Sequence, residues 1–138
     1  MKTTLPTLLL LLVSSTVLSE ELAERHSFAN VSFQESASWK ADTAPDARFV
    51  YGKDSAPQHA DLRIPSTKAP QSGYPVIVFI HGGAWRSEWS KNYTEAFVEA
   101  LAEQGFATWD LEFRRIGHHG GGYPGTFEDI ADGADHLR

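Results

Sequence analysis

The sequence predicts an α/β fold. Val76–Ile80 is an apolar run with the length of a strand and no alternation of polar and apolar positions, which is typical of a central strand buried on both faces. Two segments with helical periodicity follow, and a second strand-like segment, Phe106–Glu112, lies between them. Two strand–helix units in succession predict a sheet that becomes parallel, with right-handed crossovers.

The N-terminal residues have the composition of a secretory signal peptide. Lys2 supplies a positive charge, and the apolar run Leu8–Val13 is too short to span a bilayer, which takes about 20 residues. We therefore expect residues 1–19 to be a signal peptide and the protein to be secreted or periplasmic; an uncleaved anchor or a buried helix is the alternative. Residues 20–46 are polar without a sustained period, so we expect a leader or linker there.

The folded domain is expected to extend from residue 47 to residue 138. Its first two strands are predicted at Arg48–Tyr51 and Ala60–Ile64, each bounded by turn residues. In the second strand, apolar and charged residues alternate, which is typical of an edge strand with one polar face. The predicted order is therefore three strands, a helix, a strand and a helix.

Both helices are predicted from a capping pattern and an apolar stripe. Asn92–Glu95 has the form of an N-cap with an acid at the third position, and Gly105 stands where a left-handed C-terminal residue is wanted. The second helix is predicted to begin at Thr126, with Asp129 completing its capping box. The apolar stripe of the first helix contains Tyr93, Ala96, Phe97, Ala100 and Leu101. That of the second contains Phe127, Ile130, Ala131, Ala134 and Leu137.

Composition argues against several classes of function. The chain has a formal net charge of −6 and no run of Lys or Arg, which argues against binding to nucleic acid or, after signal cleavage, to a membrane. The absence of cysteine excludes disulfides, thiolate metal sites and a cysteine nucleophile. We expect no cofactor and no metal; a metal-binding secreted protein that uses His118 and His119 is the alternative, although adjacent histidines have no fixed ligand spacing.

The motif that points to a chemistry is His-Gly-Gly-Ala-Trp at residues 81–85, directly after the apolar strand. Hydrolysis of an ester or amide passes through a tetrahedral oxyanion, and each backbone N–H aimed at that oxygen contributes roughly 3 kcal/mol. Two glycines at the carboxyl end of a strand permit a sharp turn and a close approach of the backbone to a ligand. The motif therefore predicts an oxyanion hole, with an ordinary Gly-Gly turn as the alternative.

Each residue of this motif has an expected role. We predict that the N–H groups of Gly83 and Ala84 are the oxyanion donors and that Gly82 shapes the turn. His81 is expected to brace the loop by hydrogen bonding, with a role as a base as the alternative. Trp85 is expected to pack over the loop or to line the acyl pocket.

Residues 75–85 resemble the third strand and oxyanion loop of α/β-hydrolase esterases. The His-Gly-Gly-x-Trp variant is shared with kynurenine formamidases and with secreted esterases of the feruloyl/acetyl-esterase type. Asp110–Ile130 resembles the strand end and Pro-containing loop that precede the nucleophile strand in such hydrolases. The resemblance implies the N-terminal half of an α/β-hydrolase fold, with four strands and two helices, and a serine hydrolase acting on carboxylic esters. An arylformamidase-type amide hydrolase is the alternative.

The chain departs from that family because no Gly-x-Ser-x-Gly turn occurs in its 138 residues. In the family the nucleophile follows the next strand, and the acid and histidine of the triad come later. We therefore expect no catalytic residue here and a truncated chain that is inactive alone, with a non-catalytic remnant or binding module as the alternative. The expected substrate of a completed site is a small-molecule ester or an acylated carbohydrate. The sequence leaves the oligomeric state open.

Overall fold

The computed structural model describes residues 32–138, so the expected signal peptide lies outside the described residues. One compact unit extends over Phe33–Arg138. No helix in this part of the chain is long and apolar enough to cross a membrane. The elements in order are α1 (Phe33–Ser38), β1 (Ala47–Val50), β2 (His59–Arg63), β3 (Val76–Ile80), a 3-10 helix (Lys91–Tyr93), α2 (Glu95–Glu103), β4 (Ala107–Glu112) and α3 (Gly125–Asp135).

The four strands form one mixed sheet in the order β1-β2-β4-β3. β1 and β4 both pair antiparallel with β2, and β3 pairs parallel with β4. All six residues of β4 are buried, because a strand lies on each side of it and α2 and α3 both contact it. The core cluster consists of Ala60, Trp109, Leu111 and Phe113. The expected α/β architecture, with a sheet that becomes parallel between β3 and β4, is therefore present.

Two strands occupy positions that differ from the prediction. β2 is internal rather than an edge strand, and its polar residues Asp61 and Arg63 are buried because charged partners reach them from neighbouring elements. β3 was expected to be a central strand buried on both faces, and this expectation is wrong. Val76, Val78 and Ile80 are 52%, 39% and 47% exposed and alternate with the half-buried Ile77 and Phe79, because no described element covers one face of β3. β1 and β3 are the two edge strands, and β4, the last strand, is internal.

The capping box predicted at Asn92–Glu95 is not formed. Thr94, which precedes α2, has a helical backbone, and its hydroxyl donates to the Lys91 carbonyl oxygen at 2.6 Å. α2 packs on the sheet through Val98 and Ala102. Phe97 of the predicted stripe is 49% exposed, because it lies against Phe79 on the edge strand, where no further strand covers it.

The buried face of α3 also differs from the prediction. Thr126, Asp129 and Gly133 are buried, whereas Phe127 and Leu137 of the predicted apolar face are 52% and 40% exposed. Gly133 permits close packing, since a Cβ there would lie 2.4 Å from Leu111 Cδ2. The helix is therefore oriented by this contact and by the polar partners of Thr126 and Asp129, which outweigh its apolar stripe.

Residues 42–46, expected to belong to a linker, are hydrogen-bonded to the domain. The N–H groups of Asp42 and Thr43 donate to the Glu99 carboxylate on α2 at 2.7 and 2.8 Å. Arg63 of β2 donates from Nη2 to the Thr43 carbonyl oxygen at 2.8 Å. This segment therefore connects α2 with the end of β2 and is part of the folded unit.

Candidate functional site

The predicted oxyanion loop has an unusual backbone conformation at the carboxyl end of β3. The φ angles are +117° at Gly83, +50° at Ala84 and +55° at Trp85. A non-glycine residue in this left-handed region costs of the order of 1–3 kcal/mol and persists only where its surroundings hold it. The contacts of the loop must therefore hold two such residues in succession.

Gly83 and Ala84, the predicted oxyanion donors, have N–H groups that are unused within the described part of the chain. No residue from 32 to 138 accepts a backbone hydrogen bond from either of them. Gly83 is required for packing as well as for its φ angle, since a Cβ there would lie 2.4 Å from Trp89 Cβ. The loop thus has two adjacent N–H groups at the end of a strand that no described residue uses.

His81 is buried at the base of this loop, with 4% of its surface exposed. Its Nδ1 donates to the Gly82 carbonyl oxygen at 2.8 Å. The imidazole ring stacks on Phe113, with 4.4 Å between the ring centroids, and meets the Tyr93 ring edge-on at 6.1 Å. The ring therefore contacts the loop from the buried side, where it supports the Gly82 peptide.

Two charged residues that the sequence analysis did not single out lie beside His81. Glu112 Oε1 is 3.1 Å from His81 Nε2, and Arg115 Nη1 donates to the same Nε2 at 2.7 Å. Arg115 and Glu112 also form an ion pair. Burial raises the pKa of Glu112, but the charge of Arg115 and the hydrogen bond from the Lys91 N–H act in the opposite direction, and this pKa lies below its usual value. The signal in the sequence was two opposite charges, three residues apart, at the end of a predicted strand.

The predicted oxyanion loop is joined by a short parallel bridge to the glycine-rich loop, which comprises residues 117–125. Ile116 donates its N–H to the Trp85 carbonyl oxygen at 2.7 Å, and Ser87 donates its N–H to the Ile116 carbonyl oxygen at 2.9 Å. Ser87 is packed against the start of the glycine-rich loop, since a Cβ on Gly117 would lie 2.3 Å from Ser87 Oγ. The bridge therefore fixes the left-handed segment from its far side.

The buried carboxylate of Asp129 holds the glycine-rich loop to the strand end. It accepts hydrogen bonds from the Arg114 N–H at 2.8 Å, from Arg114 Nη2 at 2.6 Å and from Gln58 Nε2 at 2.9 Å. Thr126 Oγ1 donates to the Arg114 carbonyl oxygen at 2.6 Å and accepts from the Gly122 N–H at 3.0 Å. The two residues of the predicted capping box thus bind the loop instead of capping α3.

Trp85 forms one wall of an apolar pocket beside the oxyanion loop. Its ring centroid is 6.1 Å from that of Phe127, which the sequence analysis placed in the core. The pocket has a volume of about 190 Å³ and is lined by Trp85, Ile116, Gly122, Tyr123, Thr126 and Phe127. Such a lining is suited to an apolar part of a ligand.

The family model BD-FAE matches residues 60–138, which include both loops. The chain belongs to the BD-FAE family. The predicted resemblance to an esterase of the α/β-hydrolase type is thereby confirmed. No curated protein matches the chain.

Solved structures with the same fold include three of esterase B from Lactobacillus rhamnosis. The structure from HN001 is 20% identical with a TM-score of 0.57, and the match covers 88% of this chain and 36% of that chain. The C6-C4 SN3 inhibited form is 19% identical with a TM-score of 0.53 and covers 86% and 38%. The form inhibited by a C4-C4 SN3 tributyrin phosphonate is 21% identical with a TM-score of 0.52 and covers 88% and 37%. The BD-FAE chain thus spans somewhat more than a third of the length of these esterases.

A buried charged layer connects the site of this BD-FAE chain with α2. Lys91 is 2% exposed; its Nζ lies 2.5 Å from Asp61 Oδ2, and its N–H donates to Glu112 Oε2 at 3.1 Å. Asp110 lies beside it, and neither of its carboxylate oxygens has a hydrogen-bond partner among the described residues. Burial raises the pKa of Asp110 to about 7, although the charge of Lys91 acts in the opposite direction.

The two adjacent histidines of the glycine-rich loop have different surroundings. His118 Nδ1 accepts a hydrogen bond from the Arg115 N–H at 3.0 Å, whereas His119 is exposed. Burial lowers the pKa of His118, and the nearby charge of Arg115 acts in the same direction. Within residues 32–138 no group of three or more His, Cys, Asp or Glu side chains is arranged to hold a metal ion.

Proposed function

We propose that the loop at residues 81–85 is the oxyanion-binding part of a serine hydrolase that cleaves carboxylic esters. The observation that carries this proposal is the pair of N–H groups at Gly83 and Ala84, unused among the described residues and held in a left-handed loop at a strand end. In the tetrahedral intermediate the substrate carbonyl oxygen becomes negative, and fixed donors stabilise this charge without having to reorganise. Gly82 gives the turn its shape, and His81 supports it from the buried side.

The pocket beside Trp85 supports an ester with an apolar group as the substrate class. Its lining consists mainly of aromatic and aliphatic side chains, and it adjoins the oxyanion loop through Trp85 itself. We propose a small-molecule ester or an acylated carbohydrate as the substrate. The export signal predicted at residues 1–19 supports an extracellular or periplasmic location, where such esters occur.

We also propose that the 138-residue polypeptide does not hydrolyse esters by itself. Ser87 and Ser90 lack the flanking glycines of a nucleophile turn, and no Gly-x-Ser-x-Gly occurs in the sequence. Triad residues act as a unit, so that only electrostatic stabilisation remains when nucleophile and base are lacking. An oxyanion loop alone therefore gives little turnover.

The first test uses the purified 138-residue chain with p-nitrophenyl acetate and a fluorophosphonate probe. We expect hydrolysis at the rate of a heat-denatured sample and no covalent labelling. Labelling of a serine, or hydrolysis well above the denatured sample, would overturn the proposed inactivity.

The second test extends the chain beyond Arg138 with the segment of another BD-FAE protein that carries a nucleophile, an acid and a histidine. We expect this extended chain to hydrolyse the ester and Gly83→Ala to lower kcat by roughly 10²-fold, because the added Cβ collides with Trp89 and moves the Gly83 N–H out of position, and a misplaced oxyanion donor contributes little. Gly105→Ala, at a left-handed glycine away from the loop, is the matched control. Full activity of the extended Gly83→Ala chain would contradict the proposed role of the loop.

A further inference from the structure

We infer that Arg115, held by Glu112, sets the tautomer of His81 and thereby orients the N–H of Gly83 toward the ligand side of the loop. This inference rests on the proposed oxyanion function of Gly83. Arg115 and Glu112 are positioning residues. Among the described residues, their side chains contact the loop at residues 81–85 through His81.

The first step is the geometry of the peptide between Gly82 and Gly83. In a trans peptide the carbonyl of one residue and the N–H of the next lie in one plane and point in opposite directions. His81 Nδ1 holds the Gly82 carbonyl oxygen at 2.8 Å on the buried side of the loop. The Gly83 N–H must therefore point away from His81, and no residue between 32 and 138 accepts a hydrogen bond from it.

The second step concerns the proton on the imidazole. A carbonyl oxygen can only accept a hydrogen bond, so the contact with Gly82 requires a proton on Nδ1 of His81. Arg115 is a donor only, and its Nη1 lies 2.7 Å from Nε2 of His81. This contact requires a lone pair on Nε2, so the ring carries one proton, on Nδ1.

The opposite tautomer is disfavoured at both ring nitrogens. A proton on Nε2 would have Glu112 Oε1 as an acceptor at 3.1 Å, but it would also face the nearer Nη1 of Arg115 at 2.7 Å, and the lone pair on Nδ1 would face the Gly82 carbonyl oxygen. All these groups are buried: His81 is 4% and Arg115 3% exposed, so water does not compensate for either mismatch. Arg115 therefore selects the tautomer that binds the Gly82 peptide.

Glu112 keeps Arg115 in place. Its Oε1 pairs with Arg115 Nη1 and accepts the Phe113 N–H at 3.0 Å, while its Oε2 accepts the Lys91 N–H at 3.1 Å. Two backbone N–H donors thus hold the carboxylate in the position in which it binds the guanidinium. Because Arg115 Nη1 contacts both Glu112 and His81, the guanidinium connects the end of β4 with the oxyanion loop.

The test uses the 138-residue chain with ¹⁵N-labelled histidine and glycine. Two-bond ¹H–¹⁵N correlation spectra show which ring nitrogen of His81 carries the proton, and the amide spectrum reports on Gly83. We expect a proton on Nδ1 and a lone pair on Nε2 in the wild type. In Arg115→Met we expect the Nε2–H form, now bonded to Glu112, to gain population and the Gly83 amide resonance to move. Arg115→Lys, which retains a donor, should restore much of the wild-type spectrum.

Arg86→Met is the matched control, because Arg86 is an exposed arginine next to the loop that pairs with Glu88 and not with His81. It should leave the His81 ring and Gly83 signals in place. The inference is overturned if wild-type His81 carries its proton on Nε2, or if Arg115→Met leaves both signals unchanged. If Arg115→Met does not fold, the wild-type spectrum and the spectrum of Arg115→Lys test the inference instead. An extended chain without esterase activity but with the expected tautomer would refute the proposed function and leave the tautomer assignment standing.

Discussion

Asp61 and Asp110 lie directly opposite each other in the register of β2 and β4, so two buried carboxylates share one face of the sheet. Lys91 Nζ is 2.5 Å from Asp61 Oδ2 and 3.7 Å from Asp110 Oδ2. Asp61 also accepts Arg48 Nε at 2.7 Å; burial raises its pKa, but the hydrogen bonds from Arg48 and Lys91 outweigh this and lower it. Asp110 has no such bonds, and the two carboxylates therefore titrate in different pH ranges.

The first prediction concerns the pH dependence of stability. The pKa of Asp110 is raised from 3.8 to about 7 in the folded chain, where it faces Lys91, Asp61, Glu112 and Glu95. The folded state binds the proton more tightly than the unfolded state between these values, so the free energy of unfolding should fall as the pH rises from about 4 to about 7. The Asp110 contribution is at most about 4 kcal/mol.

Asp110→Asn removes this proton linkage and should flatten the dependence. Urea unfolding at pH 5 and pH 8 gives the change in the free energy of unfolding with pH for the wild type and for the variant. The contributions of other groups cancel in the difference between the two. Asp132→Asn, at an exposed position of α3, should keep the wild-type slope. Equal slopes for wild type and Asp110→Asn would contradict the assignment.

The second prediction is that Asp129→Ala destabilises the fold strongly. Asp129 is 0% exposed and is the acceptor for Arg114 and Gln58, so its loss leaves a guanidinium and an amide without their partner. Removal of one member of a buried ion pair costs about 3–5 kcal/mol. Chemical denaturation should show this loss, while Asp132→Ala on the exposed face of the same helix should change stability by less than about 0.5 kcal/mol.

The third prediction distinguishes two reasons why residue 83 is a glycine, namely its positive φ angle and the close packing of Trp89 against it. Gly83 and Gly105 both have positive φ, +117° and +93°, but only Gly83 is crowded: a Cβ added to Gly105 would meet no atom within 4 Å. Both alanine variants incur a backbone cost of about 1 kcal/mol. Gly83→Ala must also displace Trp89, which adds about 1–3 kcal/mol. Thermal unfolding measures both variants, and equal losses would show that Trp89 does not constrain the loop.

The fourth prediction is that the chain self-associates through β3. The outer edge of β3 is unpaired among the described strands, and Val76–Ile80 contains no charge that would oppose pairing with another strand. Sedimentation over a range of concentrations should show association. Val78→Lys should reduce it, because a charge in the middle of an edge strand opposes pairing. Val50→Lys, on the opposite edge strand β1, is the control and should have little effect. If Val50→Lys reduced the association more than Val78→Lys, the contact would be assigned to β1.

The sequence was sufficient to predict the four strands and the helices α2 and α3, but not α1, the 3-10 helix or the order of the strands. Val76–Ile80 is a strand as predicted. The burial of its side chains depends on which elements cover its two faces, and local periodicity contains no such information. In the same way, the alternation in β2 predicted an exposed polar face. Asp61 is buried instead, because Arg48 and Lys91 reach it from elements distant in sequence.

The hydrogen bonds that Thr126 and Asp129 form with Arg114 could not be predicted from the sequence for a related reason. Thr126 and Asp129 match a capping box, but the Arg114 backbone and guanidinium are stronger partners than the N-terminus of α3. The loop motif at residues 81–85 was recognisable because its glycines follow directly on the strand. Its dependence on Arg115 was not, because this contact joins residues 34 positions apart.

The bridge between Trp85 and Ile116 has a consequence for how the two loops depend on each other. The hydrogen bonds that hold the predicted oxyanion loop and the glycine-rich loop connect residues between Gln58 and Asp129. Each loop supplies backbone partners to the other, so a substitution that displaces either loop should move both.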